Sequence, residues 1–226
     1  MTVLLALPFT GRWLTQNSPA NRVPSHGTDL FGERYAIDFV RVNDHNRSAG
    51  MRDWRTLIAT EPPTRFVGFG APILAPVNGV VVGAHDGEDD HTARRSQLAL
   101  LPYALGQAAR VRQGVNAIAG NRVIIADDAT ESFVALVHLK FGSLRVIPGD
   151  RVVTDQQIAQ CGNSGNSTQP HVHVQAMDSL DLTVAHGLPI EFRSFREQPR
   201  GADGFRDVPS GMPGDGAVIE PLGSPH

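Results

Sequence analysis

A single cysteine, Cys161, stands among the 226 residues, which excludes an internal disulfide framework and a thiolate cage for a metal. Between Gln160 and Gly162 it reads as a small apolar residue closing a buried strand. Lysine is equally scarce. The one present, Lys140, lies between Leu139 and Phe141, without the flanks expected around the attachment lysine of a biotinyl or lipoyl carrier. Neither sign of charge dominates: 20 basic and 23 acidic residues leave a net −3, no footprint for nucleic acid or an anionic membrane. No run approaches the roughly 18 consecutive apolar residues of a membrane helix, so membrane insertion is not expected. The opening MTVLLALPFTGRW has an apolar stretch but no basic segment before it and no small-residue cleavage site after it. As written, the chain reads as cytoplasmic.

What is present is a series of short Val-, Ile- and Leu-rich runs punctuated by Gly, Pro, Asn and Asp, a mainly β pattern. Strands are expected at 3–7, 35–42, 72–74, 79–84, 122–126, 133–139, 151–153, 157–161 and 171–176. A single β domain over residues 1–195 follows, with insertions at about 43–70 and 88–118. The first insertion reads as a long loop with a helical turn or two. The second, HTARRSQLALLPYALGQAARVRQG, is rich in helix formers and split by Pro102, and its Arg94-Arg95 pair reads as a solvated helix face. From 196 to 226 the composition turns to Gly, Pro, Asp and Arg, and a disordered tail is expected.

The stretch GNSGNSTQPHVHVQ, 162–175, carries the strongest chemical signal. Six turn-forming residues make a shaped loop. Then His171, Val172, His173 and Val174 alternate with period two, so both imidazoles leave one face of a strand, roughly 7 Å apart by the rise per residue. Two other polar residues sit in apolar strands. His138, in FVALVHLK, needs a hydrogen-bond partner or a metal if it is buried. Asp38, in RYAIDFV, shares a face with Arg34 and Ala36, opposite Tyr35, Ile37 and Phe39. A carboxylate beside convergent imidazoles suits zinc; the bland alternatives are a satisfied core histidine and a partly exposed Asp38–Arg34 ion pair. His45, His85, His91, His186 and His226 lie in polar, turn-like or terminal surroundings and read as surface residues.

The order Asp38, ILAPVNGVVV, VALVHL, then VIPGDRVVTDQQIAQCGNSGNSTQPHVHVQ resembles the lysostaphin-type, LytM-like zinc metallopeptidases of cell-wall metabolism, over roughly residues 33–176. The resemblance implies a LytM-like β-sandwich of duplicated hybrid-motif type, here with a helical insertion. It implies Asp38 and His173 as zinc ligands, and His138 and His171 as the catalytic histidines that flank the attacking water and the substrate carbonyl. It implies a peptide of peptidoglycan, stem or cross-bridge, as substrate, and a family usually exported from the cytoplasm.

One position departs from the family. Four residues before the aspartate, where another zinc-binding histidine is usual, stands Arg34, which cannot coordinate a metal. A catalytic zinc needs three protein ligands and an open position. His26, in the turn VPSHGTDL twelve residues before Asp38, is the residue expected to supply the third, with His45 as fallback. The competing expectations are a catalytically inactive member of the fold, with Arg34 neutralising Asp38 and the cleft binding a partner, and a phosphohistidine carrier, which would have no use for Asp38.

Overall fold

Val172, Val174 and Ala176 are buried in the main core, while the intervening residues of the strand face the other side. That strand is central to the architecture. The computed structural model describes residues 1–50, 60–93 and 115–223. Over these, fourteen strands form: β1 (Val3–Leu5), β2 (Trp13–Gln16), β3 (Ile37–Arg41), β4 (Pro72–Leu74), β5 (Gly79–His85), β6 (Asn121–Asp127), β7 (Phe133–Leu139), β8 (Arg151–Val152), β9 (Gln157–Gln160), β10 (Val172–Met177), β11 (Gly187–Leu188), β12 (Ile190–Gln198), β13 (Arg206–Gly211) and β14 (Val218–Pro221).

Ten strands run in the order β1-β12-β14-β2-β3-β10-β7-β6-β5-β8, with β11 paired to β10 and β13 to β12, in one large, mostly antiparallel sheet. Strands β4 and β9 pair separately. Ile73, Ile158 and Ala159 of this small sheet share one core with Val81, Val123, Ile125, Val134, Leu136, Val172 and Val174 of the large one. Removing side chains of this size from water contributes roughly 1.5–3 kcal/mol each. Cys161 is buried in that core and its thiol is pushed up by burial, so it behaves as the small apolar residue expected. The other face of β6, β7 and β10 carries a second, thinner apolar layer of Ile124, Ala135, Val137 and Met177.

Two expectations are corrected. Residues 196–226 are not a disordered tail as far as Gly223: β12 runs through position 195, and β13 and β14 pair with it. Strand β14 then bridges to β2, and Ile219 is fully buried in the main core. Gly and Pro mark the turns between these strands, while VIEP supplies the buried residues. Upstream, β3 starts at Ile37, because Leu30–Tyr35 form a kinked 3₁₀ segment in which Phe31 and Gly32 take positive φ.

The insertion helix expected at 91–114 lies almost wholly outside the described residues, with Arg94-Arg95; a five-residue helix, α1 (Val115–Ala119), follows it. In the 43–70 insertion a 3₁₀ turn forms at Pro63–Arg65. The two insertions meet through a pair of backbone hydrogen bonds between Glu61 and Ala93, beside a small apolar cluster of Ala49, Phe66 and Ala93.

Candidate metal centre

Antiparallel pairing brings Asp38 of β3 directly opposite His173 of β10, flanked by the buried pairs Val172–Phe39 and Val174–Ile37. Ile37 and Phe39 point into the core, so Asp38 must leave on the other face, as must His173 between two valines. His173 Nδ1 lies 3.0 Å from Asp38 Oδ1. From the turn before β3, His26 reaches over and places Nε2 3.1 Å from Asp38 Oδ2. The two imidazoles pack edge to face with centroids 4.8 Å apart. The ligating atoms of His26, Asp38 and His173 all lie within 4.8 Å of one another.

The remaining ring nitrogens are committed on the outside. His26 Nδ1 meets Ser25 Oγ at 3.0 Å, and that hydroxyl donates on to the Glu33 carbonyl. His173 Nε2 meets Gln175 Oε1 at 2.8 Å, and the Gln175 amide donates to the Phe31 carbonyl, which sets which end of the amide faces the ring. Each imidazole therefore spends one N–H outward and, when neutral, turns a lone pair toward a carboxylate. Two lone pairs and an anion facing one point require a cation. A zinc ion bound by two imidazole nitrogens and a carboxylate oxygen fits this donor set and its spacing. His26, Asp38 and His173 are the residues that could hold it.

Without metal, the proton takes that place. Burial alone would raise Asp38, but the charges of His171 and His26 and hydrogen bonds from His173 and His26 outweigh it and hold the carboxyl well below its usual range. Burial would lower His173, but the hydrogen bond and charge of Asp38 dominate and push it up to about 9.

His138 and His171 stand beside this cluster with ring centroids 4.7 Å apart. Each points Nδ1 at a backbone carbonyl, Ser164 at 3.0 Å and Gln169 at 2.8 Å, so each carries its proton on Nδ1 and leaves Nε2 bare. His171 Nε2 is 3.6 Å from Asp38 Oδ1. Burial lowers both, reinforced by the neighbouring imidazoles, His138 well below the usual histidine value. Both are thus neutral bases near pH 7.

His138 reaches the site through an irregularity. Leu139 pairs with Asn121 and Val137 with Arg122, so His138 is an extra residue, a bulge with φ +63°. The GNSGNS loop fits against this bulge: Ser164 Oγ accepts from Asn121 N–H and donates to the Leu139 carbonyl. Gly165, at φ +65°, approaches Gly120 so closely that a side-chain carbon would meet backbone at 2.5 Å.

All five residues expected from sequence, His26, Asp38, His138, His171 and His173, line one cavity of about 460 Å³. Arg34 is not lodged on Asp38. It pairs with Asp29 at 2.7 Å and packs over Tyr35, because the 3₁₀ segment carries it off the strand. His45 stays on an exposed turn, and His186 pairs with Asp178 at the surface. His91 departs from its surface reading: its Nε2 bonds the Gly165 carbonyl at 2.7 Å, helping Asp90 brace the glycine-rich loop. Asn17, which donates to Asp38 Oδ2 at 2.7 Å, and Gln175 are not expected from sequence as site residues. Gln175 sits two residues after His173 on the same strand face, and that spacing could have found it.

Comparison with known proteins gives a match between residues 102–184 and the family model for peptidase family M23. Among solved structures, the catalytic domain of lysostaphin from Staphylococcus simulans is 16% identical, covers 79% of this chain and 88% of its own, and superposes with a TM-score of 0.40. The catalytic domain of a mutant form of the prophage-encoded M23 protein EnpA from Enterococcus faecalis is 22% identical over 66% of this chain and 87% of its own, TM-score 0.37. The deep-sea M23 metalloprotease pseudoalterin is 14% identical over 84% and 76%, TM-score 0.41. The matched residues 102–184 carry three of the four convergent histidines, and over them the chain is similar to peptidase family M23, the LytM-like family.

Proposed function

We propose that the protein is a zinc metalloendopeptidase that hydrolyses peptide bonds, in stem peptides or cross-bridges of peptidoglycan. The observation that carries this reading is the convergence of His26, Asp38 and His173 on one point, next to two neutral histidines with bare Nε2 atoms. His26 takes the place that Arg34 leaves vacant in the family pattern.

Zinc held there supplies a Lewis acid that polarises a peptide carbonyl and acidifies water. His138 and His171 do the proton work. Each can accept a proton at Nε2 while its Nδ1–H stays on a backbone carbonyl, and, once protonated, can donate to the departing amine or to the developing oxyanion. Gln169 and Ser164 keep both rings oriented for that exchange. Ile124, Ala135 and Val137 give the cavity an apolar wall beside the two imidazoles. An inactive binding module with Arg34 on Asp38 has less support, since Arg34 is engaged by Asp29.

The test is zinc content of the purified full chain together with release of new amino groups from purified peptidoglycan. One equivalent of zinc, hydrolysis abolished by chelation, and loss of both in His26→Ala are expected. A His26→Ala protein with full zinc occupancy and activity would remove His26 from the centre; no zinc and no hydrolysis in the parent would overturn the reading.

A further inference from the structure

Four neighbouring strands place a row of residues across the floor of the cleft. Asp38 of β3 pairs with His173 of β10, His173 with Val137 of β7, and Val137 with Arg122 of β6. Laterally paired residues point to the same face, and all four line the one cavity. The row therefore runs from the metal cluster, over an aliphatic step, to a guanidinium.

Arg122 is unusual for an arginine. It is partly buried, and its Nη1 donates to the Gly120 carbonyl at 3.2 Å, a neutral acceptor that engages one of its five N–H groups. Among the described residues no carboxylate pairs with it: Glu88, whose charge acts on it, is in contact with His85 at 3.2 Å. Burial weakens its hold on its proton without threatening its charge. Of the other arginines in the sheet, Arg151, Arg196 and Arg206 have acidic partners, while Arg41 and the exposed Arg193 lie outside the cleft. A desolvated cation without a counter-ion is costly unless something supplies one. The cleft is open beside it.

We infer that Arg122 is a carboxylate-binding subsite of the cleft, which selects peptides carrying an acidic group next to aliphatic residues near the reacting bond. Two strand spacings separate Arg122 from His173, about 10 Å between backbones. Less the reach of the side chain, that is roughly one to two residues of extended peptide. Val137 and Ala135 form an aliphatic stretch of the cleft wall between them. A planar guanidinium that spends one N–H on a described partner suits a carboxylate, which it can grip with two parallel bonds.

The inference rests on the cleft being a peptide site, and its test does not need zinc. A terminally blocked Ala-Ala-Glu-Ala-Ala and its Ala-Ala-Gln-Ala-Ala counterpart are titrated against the metal-stripped full chain, with binding read from NMR shifts of the protein. The glutamate peptide should bind at least about tenfold tighter, the scale of one charge-assisted bond. Arg122→Gln should abolish that preference and Arg122→Lys should retain part of it, with circular dichroism establishing that both variants are folded. Equal affinities, binding of neither peptide, or a preference that survives in a folded Arg122→Gln protein would overturn the subsite. Repeating the comparison as hydrolysis by the zinc-loaded chain separates the two readings: cleavage without discrimination sinks only the subsite, and discrimination in binding without cleavage sinks only the peptidase.

Discussion

Val137 and His138 are consecutive on β7, yet both line the same cavity. In a regular strand they would face opposite sides. The bulge opposite Asn121 and Arg122, with His138 at φ +63°, reverses the second side chain and brings its imidazole within 4.7 Å of that of His171. A left-handed conformation at a non-glycine residue costs about 1–3 kcal/mol and persists only where its surroundings hold it. Here the glycine-rich loop does so.

Substitution at His138 should therefore separate chemistry from folding. His138→Asn, a residue that tolerates the left-handed region, is expected to keep the stability of the parent while hydrolysis falls by about 10²–10⁴. His138→Val, β-branched and intolerant of positive φ, should also lose about 1–3 kcal/mol in denaturant unfolding. Equal stability for both variants would argue against strain at this position.

Gln175 is expected to act on the metal through His173. Its carbonyl oxygen receives the Nε2 proton and so leaves Nδ1 for the cluster. Gln175→Leu should weaken zinc binding about 10–100-fold, the usual effect of removing such a partner. Gln175→Glu, which still accepts that proton, should retain much of the affinity. Competition with a chromophoric chelator reads this directly, and ¹⁵N shifts of His173 report whether its tautomer has changed.

Metal-free protein should have its stability optimum slightly below neutral pH, with stability falling on both sides. His173 is raised to about 9 by Asp38, so its charged form contributes stability that is whole below about 6.5 and lost as pH rises through about 9. For a shift of that size the contribution is on the order of 3 kcal/mol. Burial lowers His138 and His171, so their neutral forms contribute stability above about 6.5 that is lost as pH falls. Melting temperatures of chelator-treated protein should thus peak at about pH 6.5 and fall from there toward about pH 9. A melting temperature that stays level or rises over that window would exclude the charged His173–Asp38 pair. Zinc added at pH 7 must displace the His173 proton, and calorimetry in buffers of different ionisation enthalpy should show it.

Ile219 tests the role of the C-terminal strands. It is fully buried on β14, next to β2, in the main core. Ile219→Ala should cost about 2–5 kcal/mol in denaturant unfolding. A loss below about 0.5 kcal/mol, the level of an exposed position, would show that the last strands are dispensable.

Much of the site is legible in the sequence because it is written in period two. Ile37, Phe39, Val172 and Val174 must face the core, which forces Asp38 and His173 out together, and the turn-rich run before His171 announces a shaped loop. The mainly β class follows from the same alternation. Composition misleads over the segment from 196, because it averages over glycine-rich turns and hides short buried runs such as VIEP.

Local pattern thus settled which side chains leave each strand and on which face, since alternation is a property of the strand itself. Which strands lie side by side, that Arg34 swings to Asp29 while His26 crosses to Asp38, that a bulge turns His138 inward, and that Arg122 stands three strands from Asp38 were decided only by tertiary pairing. These are contacts between residues distant in the chain, and their energies come from burial and hydrogen bonds that no local window contains.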